Sequence, residues 1–287
     1  EMRTRVQSLL DESSSPAGAG VALGTFHAIA ARILRREAEA VGMRGDFVIY
    51  DDDDQVSLMR QIVKDLGFDP KQVQPARLLH GISRAKSEII EPQDFPAASY
   101  FEEITRRAYE RYQELLRANN AFDFDDLLLA VVRLLRDQPA ARRRYQQRFP
   151  HLLVDEFQDT NTAQYTILRL LAQERPDLFV VGDADQSIYR WRGADYRNVR
   201  RFLDDYPGAR LILLEQNYRS TQTILDVAMG VIDRASGRQR KQLFTDRGRG
   251  VPVHIYEAYD EADEARFALE SIALLTQRGD IEPRAVA

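Results

Sequence analysis

The chain has 287 residues, 44% of them hydrophobic and 30% charged, which suits a globular protein of two or three subdomains. Its net charge of −5 argues against a protein that coats nucleic acid nonspecifically, although a local basic groove stays compatible. The chain has no cysteine and therefore no disulfides, which is compatible with a cytoplasmic location. Its apolar runs, such as Leu127–Val132, are too short to cross a membrane.

The first 45 residues predict a helix, a loop, a short strand and a second helix. Apolar residues of the first ten positions share one helical face, and no capping residue precedes them. The last residues, 283–287, resemble the beginning of a strand, so we expect the chain to be a piece of a longer protein. After a Ser/Gly/Pro-rich loop at 11–20, residues 21–25 predict a strand and residues 26–41 a helix.

The region from about 46 to 120 is charged, interrupted by prolines and almost without strand patterns, which predicts a helical insertion. Within it, the run Asp51–Asp54 fits the start of a helix, where carboxylates complement exposed amides and the helix dipole. The alternative for this run is a metal-binding cluster.

From Phe122 onward, apolar strands alternate with amphipathic helices, which predicts a parallel sheet covered on both faces. We predict that Ser220 caps one of these helices. The strands are predicted at 152–154, 178–181, 211–214 and 253–256. The helices are predicted at 163–174 (ended by Pro176), 220–232 and 263–275, and a further helix before the first of these strands contains Leu127, Leu128, Val131, Leu134 and Leu135.

Two acidic residues, Asp155 and Glu156, directly follow the apolar strand Leu152–Val154. In nucleoside-triphosphate hydrolases this position holds magnesium and orients the attacking water. Many strands end in an acidic turn, so the pair alone only favours such a site.

A second segment, Val180–Asp195, leaves a strand and combines acids and an amide with alternating aromatic residues and arginines. The neutral amide of Gln186 suits a sensor of a γ-phosphate, and Tyr189 and Trp191 suit stacking on unpaired bases, with arginines beside them for phosphates. The alternative is that Trp191 packs in the core and the arginines face water.

Three further segments have both a functional and a structural interpretation. In Leu214–Ser220, an arginine can stabilise charge on a transferring phosphoryl group, or simply lie in a solvated turn. In Gly24–Ala28, a hydroxyl, a ring and an imidazole stand at a helix N-terminus, where phosphate can bind, although a lone histidine is more often structural. The acids of Phe122–Leu128 fit simple capping of the following helix.

Taken together, these segments resemble the UvrD/PcrA/Rep family of superfamily-one DNA helicases, in the family's order and at similar spacing. The resemblance covers essentially the whole chain, and the string from Gly182 to Asp195 is the most specific match. The matching segments are Gly24–Ala28, Asp123–Leu128, Val154–Thr160, Val181–Asp195 and Leu214–Ser220.

The resemblance implies a role for each matching residue. Asp155 is expected to bind Mg²⁺ through water, and Glu156 to be the base that activates the hydrolytic water. Gln186 is expected to contact the γ-phosphate of ATP, Tyr218 to stack on adenine, and Arg219 to act as an arginine finger. The residues expected along the single-stranded DNA track are Thr25, Phe26, His27, Tyr189, Trp191 and Arg192.

The same resemblance implies an α/β fold: a RecA-like parallel sheet core with a helical insertion subdomain and the start of a second RecA-like core. The first core is expected at 1–45 and 121–213, the accessory insertion at 46–120, and the truncated second core at 214–287. No G-x-x-x-x-G-K-[ST] phosphate loop occurs in the sequence, and in this family that loop lies before residue 1.

We therefore predict a fragment of an ATP-dependent 3′-to-5′ DNA helicase of repair or replication, inactive as an ATPase by itself. The expected partners are single-stranded DNA, DNA junctions and repair proteins. Two alternatives stay open: the core of a RecB/AddA-type helicase–nuclease, and a non-catalytic module that binds single-stranded DNA.

Overall fold

The structure is a computed structural model that describes residues 4–6, 8–9, 21–173, 177–235 and 241–286, apart from the side chain of Arg192. The predicted loop at 11–20 and the predicted helix end at Pro176 lie outside these residues. The chain divides into two compact units, Glu1–Ala209 and Arg210–Ala287. The finer subdomain boundaries drawn from the sequence stay predictions.

Helices make up most of the described structure. Those of the first unit are α1 (Phe26–Arg36), α2 (Asp52–Asp65), α3 (Pro75–Ser87), α4 (Tyr100–Ala118), α5 (Phe124–Asp137), α6 (Pro139–Arg148), α7 (Thr162–Ala172) and α8 (Arg197–Asp205). The second unit contributes α9 (Gln222–Ile232) and α10 (Glu261–Gln277). No helix in the described residues is both long and apolar enough to span a bilayer.

Two parallel strand pairs accompany these helices. Strand β1 (Val48–Ile49) pairs with β2 (Ala121–Phe122), so the helices α2, α3 and α4 lie in the stretch of chain between two paired strands. Strand β3 (Leu152–Val154) pairs with β4 (Leu178–Val180), with Leu152 opposite Leu178 and Val154 opposite Val180. The α/β character and the parallel pairing agree with the prediction.

Three predicted strands do not form. Residues 21–25, 211–214 and 253–256 are all described and none is in a strand, so these predictions are wrong for this structure. An apolar run indicates burial, whereas a strand also needs a neighbouring strand to receive its backbone hydrogen bonds. In the described part of the second unit, the backbone pairing found is a single parallel bridge between Gln216 and Phe244.

Helix α5 is the centre of the first unit. It packs against α1, α3, α6 and α7, and its leucines and valines are almost all buried. A second apolar cluster joins α2, α3 and α4, with Tyr109 and Tyr112 fully buried. A third surrounds β3 and β4 and includes Phe157, Tyr165 and Phe202. The strands that precede the acidic segments are therefore held by packing from both α7 and α8.

Local capping explains several acidic residues. Asp51 caps α2 and exchanges hydrogen bonds with Asp54, which confirms the helix-start interpretation of the run Asp51–Asp54. No cluster of three or more possible metal ligands occurs in the described part of the chain, so the metal alternative receives no support. The predicted cap of α9 is wrong: Thr221, not Ser220, precedes the helix, and Asn217 accepts the backbone N–H of Ser220 instead.

The N-terminus of α5 contains a buried ionic cluster. Asp123 caps the helix in a reciprocal arrangement with Asp126, and the ammonium group of Lys86 lies 2.6 Å from one carboxylate and 2.8 Å from the other. Asp125 stands beside this cluster: burial raises its pKa to about 6, the charge of Asp123 adds to the rise, and Ser83 and Lys86 oppose it.

We predict that Asp125→Asn makes the fold less sensitive to pH. A carboxyl whose pKa is higher in the folded chain destabilises it progressively as pH rises from about 4 to about 6. The free energy of unfolding of the variant minus that of wild type should therefore be on the order of 2 kcal/mol greater at pH 7 than at pH 4. Urea denaturation at the two pH values measures this gain, and the exposed Asp65→Asn is the control; an equal gain in both variants would contradict the prediction.

Candidate nucleotide and nucleic-acid site

The two carboxylates singled out in the sequence follow β3 directly and are both exposed. Glu156 has φ 50° and ψ 44°, the left-handed conformation that non-glycine residues seldom adopt. Its backbone N–H donates to Oδ1 of Asp155 at 3.0 Å. Such strained residues are concentrated at functional sites, where surrounding contacts maintain them.

The oxygen donors here suit magnesium. Mg²⁺ usually binds through one or two carboxylates and keeps several waters or phosphate oxygens as its other ligands. Asp155 and Glu156 provide that number of carboxylates. Nearby, burial and the negative charge of Glu156 raise the pKa of Asp159, and one oxygen of Asp159 is buried without a hydrogen-bond partner in the described structure. The negative field of the turn therefore favours a cation.

Gln158 holds this turn together, and the sequence analysis missed it. Its side chain is 1% exposed; the amide nitrogen donates to Oε2 of Glu156 at 2.8 Å, and the amide oxygen accepts the N–H of Asp183 at 2.9 Å. An amide can donate and accept at once, which a carboxylate cannot. In the sequence, Gln158 stands out only as a glutamine between the acids of Val154–Thr160. Neighbouring residues do not reveal its partner, which lies after β4.

Gly182 permits this contact. A Cβ atom at this position would lie 2.6 Å from Oε1 of Gln158 and 3.2 Å from the backbone nitrogens of Phe157 and Gln158. The backbone after β4 therefore approaches the carboxylate turn as closely as only glycine allows.

Beyond Gly182 the chain makes a tight polar turn. The carboxylate of Asp183 accepts the N–H of Asp185 at 3.0 Å and the side-chain amide of Gln186 at 2.9 Å. Gln186 is exposed on this turn. Gln186, the predicted phosphate sensor, is thus hydrogen-bonded to the side chain of Asp183. The backbone N–H of Asp183 in turn donates to Gln158.

The next residues form what we call the aromatic loop, Ile188–Gly193. Trp191 is 66% exposed, and its ring centroid lies 6.4 Å from that of Tyr189 at an angle of 51°. The alternative that the single tryptophan packs in the core is therefore wrong. Gly193 ends the loop with φ 86°. The side chain of Arg192 lies outside the described structure.

The loop is anchored again where it ends. The backbone N–H of Asp195 donates to the carbonyl of Thr160 at 3.0 Å, and the buried amide of Asn198 donates to the same carbonyl at 2.9 Å. The guanidinium of Arg197 hydrogen-bonds to the carboxylate of Asp195. Burial alone would raise the pKa of Asp195, and the hydrogen bond to Arg197 is the largest of the effects that together lower it. Segment 183–195 is therefore tied to the residues after β3 at both ends.

The predicted residues at the start of α1 have structural partners as well. The hydroxyl of Thr25 caps α1 by accepting the N–H of Ala28, and Phe26 packs against the apolar clusters around α5 and β3. His27 is partly buried, which lowers its pKa, and its ring meets that of Phe124 edge-on at 6.0 Å. Phe124 is 47% exposed and was not among the predicted residues.

Tyr218 and Arg219 belong to the second unit and are both exposed. Oδ1 of Asn217 accepts the backbone N–H groups of Arg219 and Ser220 at 2.9 and 2.7 Å, which forms a tight turn before α9. The hydroxyl of Tyr218 donates to Gln216 at 2.7 Å. The turn presents both side chains outward from their own unit.

Comparison with known proteins assigns both units. Residues 1–207 match the family model "UvrD/REP helicase N-terminal domain", and residues 212–286 match "UvrD-like helicase C-terminal domain". Proteins named "ATP-dependent DNA helicase PcrA" are 45% identical over 96% of this chain in Leuconostoc citreum, 41% over 97% in Bacillus subtilis (strain 168), and 42% over 95% in Staphylococcus aureus (strain Mu50). The chain spans 37% to 38% of the length of these relatives.

We predict that Gly182→Ala destabilises the first unit. The added methyl group must displace Gln158 or the backbone beside it, and overpacking of this kind costs about 1–3 kcal/mol. Gly208→Ala is the matched control, because a Cβ there meets no atom within 4 Å. Urea denaturation of both variants compares their free energies of unfolding, and equal values would contradict the close approach.

Proposed function

This chain belongs to the UvrD/REP helicase family, and from that membership we propose that it is the central part of an ATP-dependent helicase moving 3′ to 5′ on single-stranded DNA. The observation that supports this most directly is the double attachment of segment 183–195. Asp183 is hydrogen-bonded to Gln158, and Asp195 to Thr160, so segment 183–195, which contains the aromatic loop, is tied at both ends to the residues after β3. A change at one is transmitted to the other through these short bonds.

The carboxylate turn would perform the hydrolysis. ATP bound with Mg²⁺ supplies the phosphoryl group that is transferred to water. Asp155 would hold the cation, as the family resemblance implies. Glu156 accepts the proton of the attacking water, since Gln158 hydrogen-bonds to Oε2 and leaves Oε1 as the base. The left-handed backbone of Glu156 ends the extended conformation of the strand that precedes it.

Gln186 would report the presence of the γ-phosphate. Its amide donates to Asp183 in the structure. With a phosphate oxygen in reach, the N–H groups of Gln186 can donate to the phosphate instead of Asp183, which removes one of the hydrogen bonds that organise the turn. Because Asp183 also contacts Gln158, this exchange reaches both the base and the aromatic loop.

Two residues of the second unit match nucleotide-binding positions of the family. Tyr218 has an exposed ring that is suited to stacking on adenine. Arg219 is positioned by the backbone turn at Asn217 and would stabilise the charge that develops on the transferring phosphoryl group. These roles come from the family resemblance and the exposure of both side chains.

The DNA track would use exposed rings. Trp191 and Tyr189 stack on bases, and Arg192 contacts phosphates. Of the residues near α1, His27 is the best placed because its ring meets the exposed Phe124, which we add to the track. Thr25 and Phe26 would act mainly by supporting this surface, since one caps α1 and the other packs inside.

The proposed partners are single-stranded DNA, DNA junctions and repair proteins, and the proposed location is the cytoplasm. A non-catalytic module that binds single-stranded DNA is the alternative, and the following two experiments test ATP hydrolysis and DNA binding by this chain one at a time.

We expect the 287-residue chain alone to hydrolyse no ATP, because its sequence lacks a phosphate loop with the lysine that holds the β- and γ-phosphates. A phosphate-release assay with and without single-stranded DNA measures this. DNA-stimulated turnover that disappears in Glu156→Gln would contradict the expectation and would place the complete hydrolytic site within these residues.

We expect Trp191→Ala to weaken binding of labelled oligothymidylate about tenfold, because stacking of a base on an aromatic ring contributes about 1–3 kcal/mol. Fluorescence anisotropy at fixed salt gives the Kd. Tyr100→Ala is the control, since it removes an exposed ring from the start of α4. Equal Kd values for wild type and Trp191→Ala would remove Trp191 from the track.

A further inference from the structure

The C-terminal end of α3 contains a buried cation that the proposed chemistry does not use. The side chain of Lys86 is 0% exposed, and its ammonium group contacts the carboxylates of Asp123 and Asp126 at 2.6 and 2.8 Å. The rings of Tyr109 and Tyr112, both from α4, lie near the same ammonium group, with centroids 5.8 and 4.9 Å away.

The cluster joins three helices. Asp123 and Asp126 are the two halves of the capping arrangement of α5, while Gln113 of α4 donates to Asp126 at 3.0 Å. Lys86 therefore fixes the last turn of α3 against the first turn of α5. After this turn, Ile89 takes φ 62° and Glu91 pairs with Arg133 of α5, which fastens the following residues to the same helix.

The residue after Lys86 touches the aromatic loop. Ser87 is 6% exposed, and a Cβ atom on Gly193 would lie 3.0 Å from its hydroxyl oxygen and 3.3 Å from its Cβ. The backbone that ends the loop thus rests on the side chain that ends α3. A single residue lies between Gly193 and Trp191 in the chain.

We propose that Lys86 is a positioning residue for DNA binding: by clamping the end of α3 to the N-terminus of α5, it sets Ser87 as the support on which Gly193, and with it Trp191, is placed. The DNA part of this inference rests on the proposed function, whereas the placement of Trp191 does not.

An ionic clamp suits this role better than a role in stability alone. Buried ion pairs can often be replaced by apolar residues without loss of stability, because the desolvation of the charges offsets their attraction. Charged groups at short distances do, however, impose one geometry, because two acceptors and one ammonium group must meet at fixed positions.

The chain offers a direct readout, because Trp191 is its single tryptophan. The test variant combines Lys86→Met with Asp123→Asn and Asp126→Asn, which removes the charges together and keeps a residue type that caps helices well. The matched control combines Arg106→Met with Glu103→Gln and Glu110→Gln, another cation with two carboxylate partners, on the surface of α4. Circular dichroism first establishes that each variant is folded.

Acrylamide quenching and the emission maximum of Trp191 are measured without DNA, and the Kd for oligothymidylate is measured by anisotropy. We expect the test variant, but not the control, to shift the emission maximum and change the quenching constant. We expect its Kd to rise about tenfold, the loss that a misplaced stacking ring causes. Ser87→Ala should alter Trp191 fluorescence in the same direction, and it decides the matter if the triple variant does not fold.

Unchanged Trp191 fluorescence in the folded test variant and in Ser87→Ala would overturn the positioning role, whatever happens to DNA affinity. If the fluorescence changes but even the wild-type chain does not bind oligothymidylate, the positioning role stands and the proposed function fails. If the control changes the fluorescence as much as the test variant does, the effect is a general one of lost ion pairs and the proposal is wrong.

Discussion

The parallel pairing of β3 with β4 is the constraint on which the site depends. Parallel strands end at the same edge of a sheet, so the chain leaving Val154 and the chain leaving Val180 must emerge side by side. The hydrogen bonds Val181 N–H to Val154 and Phe157 N–H to Val181 extend this proximity past the last paired residues. What the two segments carry, acids in one case and an amide with aromatic rings in the other, is thereby brought into a single site.

A buried neutral amide is the appropriate residue between those segments. An acid at position 158 would lie buried beside Glu156 and repel it, and a lysine could not accept the N–H of Asp183. Glutamine satisfies both neighbours without a net charge. Its burial shields the amide end of both bonds from water, which strengthens the link between Glu156 and segment 183–195.

Local patterns predicted the features that depend on neighbouring residues in the chain. The strands at 152–154 and 178–180, the cap at Asp51 and the cap at Asp123 were all readable, because apolar runs and capping acids act over a few positions. The features that were missed depend on distant partners. Lys86 is a single lysine in an amphipathic helix, and its carboxylate partner Asp123 is 37 positions away. Similarly, an apolar run such as 211–214 indicates a strand only when another strand is there to pair with it.

The aromatic loop leaves large apolar side chains exposed to water. Ile188 and Trp191 are both more than 60% exposed, which is unfavourable for large apolar side chains and would be relieved if the loop could fold back onto the core. The segment that contains the loop is held at Asp183 by Gln158 and at Asp195 by Thr160, and Ser87 lies against Gly193, which opposes such refolding. Rigid anchoring therefore keeps the rings in place for a flat apolar partner. The proposed partner, the faces of unpaired bases, would suit this loop despite the net negative charge of the chain, because stacking depends on contact area rather than on charge.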